Sequence, residues 1–199
     1  MIIRGVAALL LALAVVPAAA GCTASSDPRR PGPSHTTTRT LRPGVTVQAP
    51  AAWVETPYLG ELGASVFPLA YLSTETLSGP CASGPKAECD DTGPFPKTWT
   101  TPTGGVLLLW TEIEPDVGIS HITGTSTTIG GYPAKVRTGA ATSWCAVEAS
   151  TETDAYIDTG TLGDQTGGRY DMTACFGAKA SAKDHADVEA MLESLHVAN

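Results

Sequence analysis

The chain has 199 residues, enough for one domain of ordinary size and a tail. Its 12 Lys and Arg against 20 Asp and Glu give a formal charge of −8 with no long basic run, which excludes a nucleic-acid partner, since phosphate binding needs a clustered basic surface. Charged residues make up 16%, against about 25% in a typical soluble domain, and Thr is abundant instead, with 27 copies; mean hydropathy of +0.04 and a single apolar run exclude a multi-span membrane protein.

Arg4 is the only charge before an apolar run from Val6 to Val16. Pro17 breaks the run, and Ala18-Ala19-Ala20-Gly21-Cys22 follows. A short cationic start, an apolar middle and small residues at the end make a secretory signal peptide. The run is about half the roughly 20 residues that a permanent membrane helix needs. Small residues before Cys22 resemble the bacterial lipobox, whose usual form is Leu-Ala-Gly/Ala-Cys; here Ala19 stands where Leu is commonest. That resemblance implies a signal peptide over residues 1–21, cleavage before Cys22, and a diacylglycerol on its sulfur. The expected location is the cell membrane, lipid-anchored on the extracytoplasmic face. The competing pattern is ordinary cleavage after the Ala18-x-Ala20 triplet, which releases a soluble protein.

Residues 22–40 read as the anchoring Cys and a disordered tether, with no apolar period to bury. Arg29, Arg30 and Arg39 against Asp27 leave it at +2, the charge of a solvated spacer. Residues 41–199 then read as one domain without internal repeats. Val45 to Val47 begins a strand closed by Ala49-Pro50, and Trp53 and Val54 follow a turn. Ser65 to Ser73 is a second strand. Val106-Leu107-Leu108-Leu109-Trp110 leaves no polar face, so this strand must be covered on both sides, most simply by a layer on each face of a sheet. Gly130-Gly131 marks a turn before Tyr132 to Arg137. Ser143 to Ala149 and Thr151 to Asp158 are further strand candidates, and Asp158 to Gly168 is a loop. Arg169 to Phe176 alternates, with Tyr170, Met172, Ala174 and Phe176 on one face. The last segment is helical: Ser181 and Asp184 have capping-box spacing, and Val188, Met191, Leu192 and Leu195 form one apolar stripe that must lie on the sheet.

Beyond Cys22 there are four cysteines, Cys81, Cys89, Cys145 and Cys175, which allow three pairings. Nearest-neighbour pairing is favoured. Cys81–Cys89 would tie down the long unpatterned stretch from Thr74 to Gly104, and Cys145–Cys175 would join two strand candidates. Neither spacing fits the C-x₂₋₄-C pairs of zinc sites, and an exported chain favours disulfides.

The stretch from Leu72 to Cys81, then Cys89, Gly104 to Trp110, Gly130 to Ala134, the Cys145 region and Met172 to Cys175 together resemble a group of actinobacterial secreted lipoproteins of unknown function. That resemblance implies the two nearest-neighbour disulfides and an α+β fold, mostly antiparallel sheet covered by helices. The element order, with strands first and a packed helix last, is also similar to the PsbP/Mog-like α/β/α sandwich. Folds of that kind serve mainly as binding or assembly modules, so a role as an accessory of the cell envelope follows by analogy.

No residue set announces catalysis, a metal or a cofactor. Ser120-His121 is the only adjacent Ser/His pair, and no G-x-S-x-G occurs. His185 falls in the first turns of the helix, His196 near its end, and His35 in the tether. Glu112, Glu114 and Asp116 alternate and could share a strand face, but D-x-D-x-D-G calcium spacing is missing. Glu88, Asp90 and Asp91 read as a solvated loop, Asp158 and Asp164 as a Gly-rich loop, and Trp110 as core. The expected function is therefore a non-catalytic binding or envelope-assembly module. It is held to the membrane through lipid on Cys22 and recognises an envelope protein or a cell-wall ligand. A secreted hydrolase and a cation-binding protein using its acidic face are the alternatives.

Overall fold

A computed structural model describes residues 35–56, 66–83, 94–113, 123–160 and 168–198. The chain divides into two units, Met1–Gly32 and Pro33–Asn199, and every described residue lies in the second. Seven strands form the main sheet: β3 (Val54–Thr56), β4 (Val66–Ser73), β5 (Val106–Ile113), β6 (Thr125–Ile129), β7 (Tyr132–Ala140), β8 (Ala149–Asp158) and β9 (Arg169–Gly177). Their order is β3-β4-β5-β9-β8-β7-β6, antiparallel throughout. A smaller antiparallel sheet pairs β1 (Thr36–Arg42) with β2 (Val45–Pro50), and β2 with β10 (His196–Val197). The described helices are α1 (Pro80–Ser83), a single turn, and α2 (Ala182–Glu193).

Alternation decides which side chains of the main sheet meet which layer. Val106, Leu108 and Trp110 of β5 join Tyr170, Met172, Ala174 and Phe176 of β9 in a cluster on the first face. Leu41, Val45, Val47 and Ala49 of the small sheet cover that face, together with Val188, Met191 and Leu192 of α2. The helix starts as its spacing requires. The Ser181 hydroxyl accepts from the Asp184 N–H at 3.3 Å, and the Asp184 carboxylate accepts from the Ser181 N–H at 2.7 Å. Small sheet and main sheet are joined by an ion pair between Arg42 and Glu112.

On the second face, Leu107 and Leu109 of β5, Tyr71 of β4 and Cys175 of β9 pack beneath Phe95, Trp99, Cys81 and Ala146. Trp99 meets the Tyr71 ring edge-on at 4.9 Å, and the Tyr71 hydroxyl donates to the Pro94 carbonyl at 2.6 Å. Cys145 and Cys175 are disulfide-bonded, with Cα atoms 5.6 Å apart. Cys81 is disulfide-bonded as well; the expected partner, Cys89, lies outside the described residues.

This corrects the expected fold class. The chain builds a β-rich fold, not a sheet covered by helices, so the PsbP/Mog-like sandwich is not what it forms. The apolar run of β5 does demand cover on both faces, and it receives it. It does not specify helices: one cover is a second sheet beside a single helix, and the other is irregular chain fixed by aromatic rings and a disulfide. Two further expectations change. Residues 36–40, read as tether, form most of β1, antiparallel to β2 with Thr36 opposite Pro50. Residues 143–148, read as strand, are turn and loop, so the disulfide ties a loop to β9 rather than strand to strand.

The β6–β7 hairpin turns at Gly130 and Gly131, whose φ of 58° and 88° are left-handed values that glycine adopts without strain. At Gly130 an added Cβ would also stand 2.3 Å from the Leu195 carbonyl oxygen, so glycine is required twice over.

Replacing both Cys145 and Cys175 by Ser releases a loop of sequence separation 30, and chain entropy sets the expected loss at roughly 3.5 kcal/mol. Denaturant unfolding of the oxidised parent and the double variant measures it. Equal midpoints would mean that the bond adds nothing to the packing around Tyr71.

Candidate functional site

The half of the second face formed by β6 to β9 is polar. Alternation brings Ser126, Lys135, Tyr156, Asp171 and Thr111 into one cross-strand row over five strands. The next row holds Arg137, Asp154 and Thr173, and the one after it Gly139, Glu152 and Cys175. On the far side of the first row, Asp158 stands opposite Arg169. The strand signal behind this is visible in β8, where Glu152, Asp154, Tyr156 and Asp158 alternate with Thr153, Ala155 and Ile157. Of these side chains only Asp158 and the disulfide-forming Cys175 are candidates on sequence motifs alone.

Two parts of this surface differ in kind. The part beside the disulfide is an ion network. Arg137 pairs with both Glu152 and Asp154. Glu152 is fully buried, and its second oxygen accepts from the Thr142 N–H at 2.6 Å and from the Thr142 hydroxyl at 2.7 Å. The Thr142 carbonyl in turn accepts from the Cys145 N–H at 3.2 Å. The network therefore fixes the loop that presents Cys145 to Cys175. A buried carboxylate needs such pairing, because leaving it unpaired costs several kcal/mol.

The other part is a cradle of about 380 Å³ lined by Ser126, Thr127, Pro133, Ala134, Lys135, Tyr156, Asp158 and Arg169. The Asp158 carboxylate accepts from the Gly160 N–H at 3.0 Å, which orients it. Burial pushes the Tyr156 phenol up to about 12, with Asp158 and Asp171 adding to the rise and Arg169 opposing it. Tyr156 therefore keeps its proton and stays a hydrogen-bond donor as well as an acceptor.

Asp171 lies between the two parts. Its Oδ1 is sealed from solvent with no hydrogen-bond partner among the described residues. Burial, reinforced by the Asp154 charge, pushes its carboxyl up to about 7, against the opposing hydrogen bond from the Met172 N–H. Asp154 is itself raised by burial, which outweighs the Arg137 charge and a hydrogen bond to Thr173.

The other sequence candidates fall elsewhere. Cys22, Cys89, Ser120, His121, Glu88, Asp90, Asp91, Glu114, Asp116 and Asp164 lie outside the described residues. Glu112, expected on an acidic face, is half of the Arg42 ion pair, and burial raises its carboxyl. The His185 ring stacks on Phe176 at 3.9 Å and 15°, a packing contact. His196 is exposed in β10, and Trp110 is fully buried. Among the described residues, no group of three His, Cys, Asp or Glu could hold a metal ion, and no helix is long and apolar enough to cross a membrane. No family model matches the chain, and neither a curated protein nor a solved structure matches it.

Asp171 has a consequence for stability. An unfolded aspartate titrates near 3.9, so from about pH 4 to 7 the folded chain holds a proton that the unfolded chain has lost. The stabilisation is complete below that window and is lost as pH rises through it. Asp154 and Glu112, also raised, act in the same direction. Asp171→Asn removes this titration. Its melting temperature is expected to gain on the parent's as pH rises from about 4 to 7 and to hold the gain above. A difference that stays constant with pH would show that Asp171 titrates as an ordinary carboxylate.

Proposed function

We propose that this protein is an exported, lipid-anchored, non-catalytic binding module of the cell envelope. The Cys145–Cys175 disulfide, fixed against the second core by Glu152 and Thr142, is the observation that carries the reading. Such bonds form and persist in oxidising compartments and are rare in the cytosol. The N-terminal pattern gives the route: Arg4, the apolar run, the small residues and Cys22. The resemblance of the segments around Cys81, Trp110 and Cys175 to actinobacterial secreted lipoproteins agrees with that address.

A binding role is supported by how the polar residues are employed. Arg137, Glu152 and Asp154 are committed to one another and to the loop they hold. His185 is committed to Phe176. The cradle beside them brings Lys135, Tyr156, Asp158 and Arg169 together at half-buried positions on strands, which suits holding a ligand in a fixed orientation.

The anchor is tested by Cys22→Ala in a Gram-positive host followed by detergent phase partition. The parent is expected in the detergent phase. The variant is expected either in the aqueous phase and medium or retained as an uncleaved precursor of higher mass. A variant of mature size that partitions like the parent sinks the lipid anchor.

A further inference from the structure

We propose that the outer edge of β6, with the groove between the sheet and α2, docks an extended segment of a partner protein by strand addition, and that this segment carries basic and apolar side chains on the face it turns to the groove. Neither the cradle nor the lipid anchor is needed for it. β6 ends the main sheet: among the described residues it pairs with β7 alone. Its other edge therefore offers a row of backbone N–H and C=O groups. Folded proteins blunt such edges with charge, proline or a very short strand. β3, at the opposite end of the sheet, has three residues and carries Glu55. β6 has five, Thr125-Ser126-Thr127-Thr128-Ile129, without charge or proline, and the first four are exposed. Its β-branched residues favour the extended backbone that pairing requires.

Beside that edge, a groove of about 200 Å³ lies between β6, β7 and α2. Ile129, Val136, Val188 and Leu192 give it an apolar floor, and Glu189 and Glu193 stand on its helix wall. The volume is below that of a small-molecule pocket and suits one or two side chains. A strand laid on β6 turns every second side chain to this face, so its backbone rests on the edge while those side chains enter the groove. Glu189 and Glu193 are exposed and make no ion pair or side-chain hydrogen bond among the described residues. At i, i+4 on one helix face they repel each other. They also fall toward the negative end of the α2 dipole, and the last turn holds no basic residue. A cation set between them relieves both. His185, one turn earlier, is held against Phe176. In an extended segment, Lys or Arg two residues from an apolar side chain supplies the cation, since i and i+2 lie about 6.5–7 Å apart on the same face. A second copy of this chain fits less well: its β6 would bring hydroxyls and no cation to the groove, and its own Glu189 and Glu193 with them.

The full chain in a neutral detergent at low salt is titrated calorimetrically with the blocked peptide Lys-Ser-Val-Ser-Lys-Ser-Val-Ser-Lys and with versions carrying Gln or Glu in place of Lys. The Lys peptide is expected to bind at least about tenfold tighter than the Gln version, with the Glu version weakest. Glu189→Gln together with Glu193→Gln is expected to weaken the Lys peptide by about fivefold to twentyfold, the scale of two exposed ion pairs. Glu75→Gln together with Glu148→Gln, at exposed positions outside the groove, is expected to weaken it by less than about twofold. Two N-methylated Lys peptides test the edge, one methylated at Ser and the other at Lys and Val. A strand turns only alternate N–H groups to a given neighbour, so one is expected to keep binding and the other to lose it. Equal binding of the Lys and Gln peptides, equal loss in the two pairs of Glu variants, or the same response to both methylation patterns overturns the inference. So does silence from the Lys peptide; if light scattering then shows the bare chain to be a dimer, the edge belongs to a second copy. The peptide ranking and the methylation pair use the parent chain and decide the matter even where a variant fails to fold.

Discussion

Strand β5 carries Val106, Leu108 and Trp110 to one face of the main sheet and Leu107 and Leu109 to the other, and all five are buried. Burying a large apolar side chain is worth about 1.5–3 kcal/mol, and the cost of uncovering either face is correspondingly large. Both flanking layers exist to meet that demand. The first is regular: the small sheet and α2 lie side by side, with an apolar stripe and two inward-facing strand rows. The second is irregular, and irregular chain brings exposed backbone groups and conformational freedom with it. Aromatic contacts at Tyr71, the disulfide to Cys175 and the Glu152 network offset that freedom from three directions.

The second face also explains why charged groups collect where they do. Near β4 and β5 its residues are apolar and capped. Toward β6 and β7 the same face becomes polar, strand by strand, from Leu107 through Cys175 to Glu152 and Arg137. Charged groups at the margin of a capped core are half-desolvated, which strengthens their fields and shifts their titration, as at Asp171 and Tyr156. The ion network and the cradle are thus two parts of one gradient: the inner part holds the cover in place, and the outer part lines the cradle.

Much of the main sheet was legible. The continuous apolar run of β5, the alternation of Tyr170 to Phe176 and the Ser181–Asp184 spacing each have a single physical solution, and those elements appear as expected. Thr-rich segments were not legible. In β1 and β6 threonines sit where an apolar residue would have announced a strand, although their β-branched Cβ favours extended backbone. Residues 36–40 therefore read as tether. The loop at Cys145 erred in the opposite direction, because Val and Ala beside a cysteine imitate a strand. The cradle was invisible for a different reason. Its residues come from β6, β7, β8 and β9 and meet only through strand register, which no spacing within one segment records.

The smaller sheet places a demand on the order of assembly. Strand β2 is flanked by β1 and by β10, so Val45 pairs with Val197 although nearly the whole domain lies between them in sequence. Closing such a loop costs entropy that is recovered only when the final contacts form, and contacts of this range slow folding. The first-face core also waits for Val188, Met191 and Leu192. A chain that emerges N-terminus first, from a ribosome or a translocation pore, therefore cannot shut its larger core until residues 182–197 are out. Until then it remains threadable, and the same late segment that completes the fold acts as its timer.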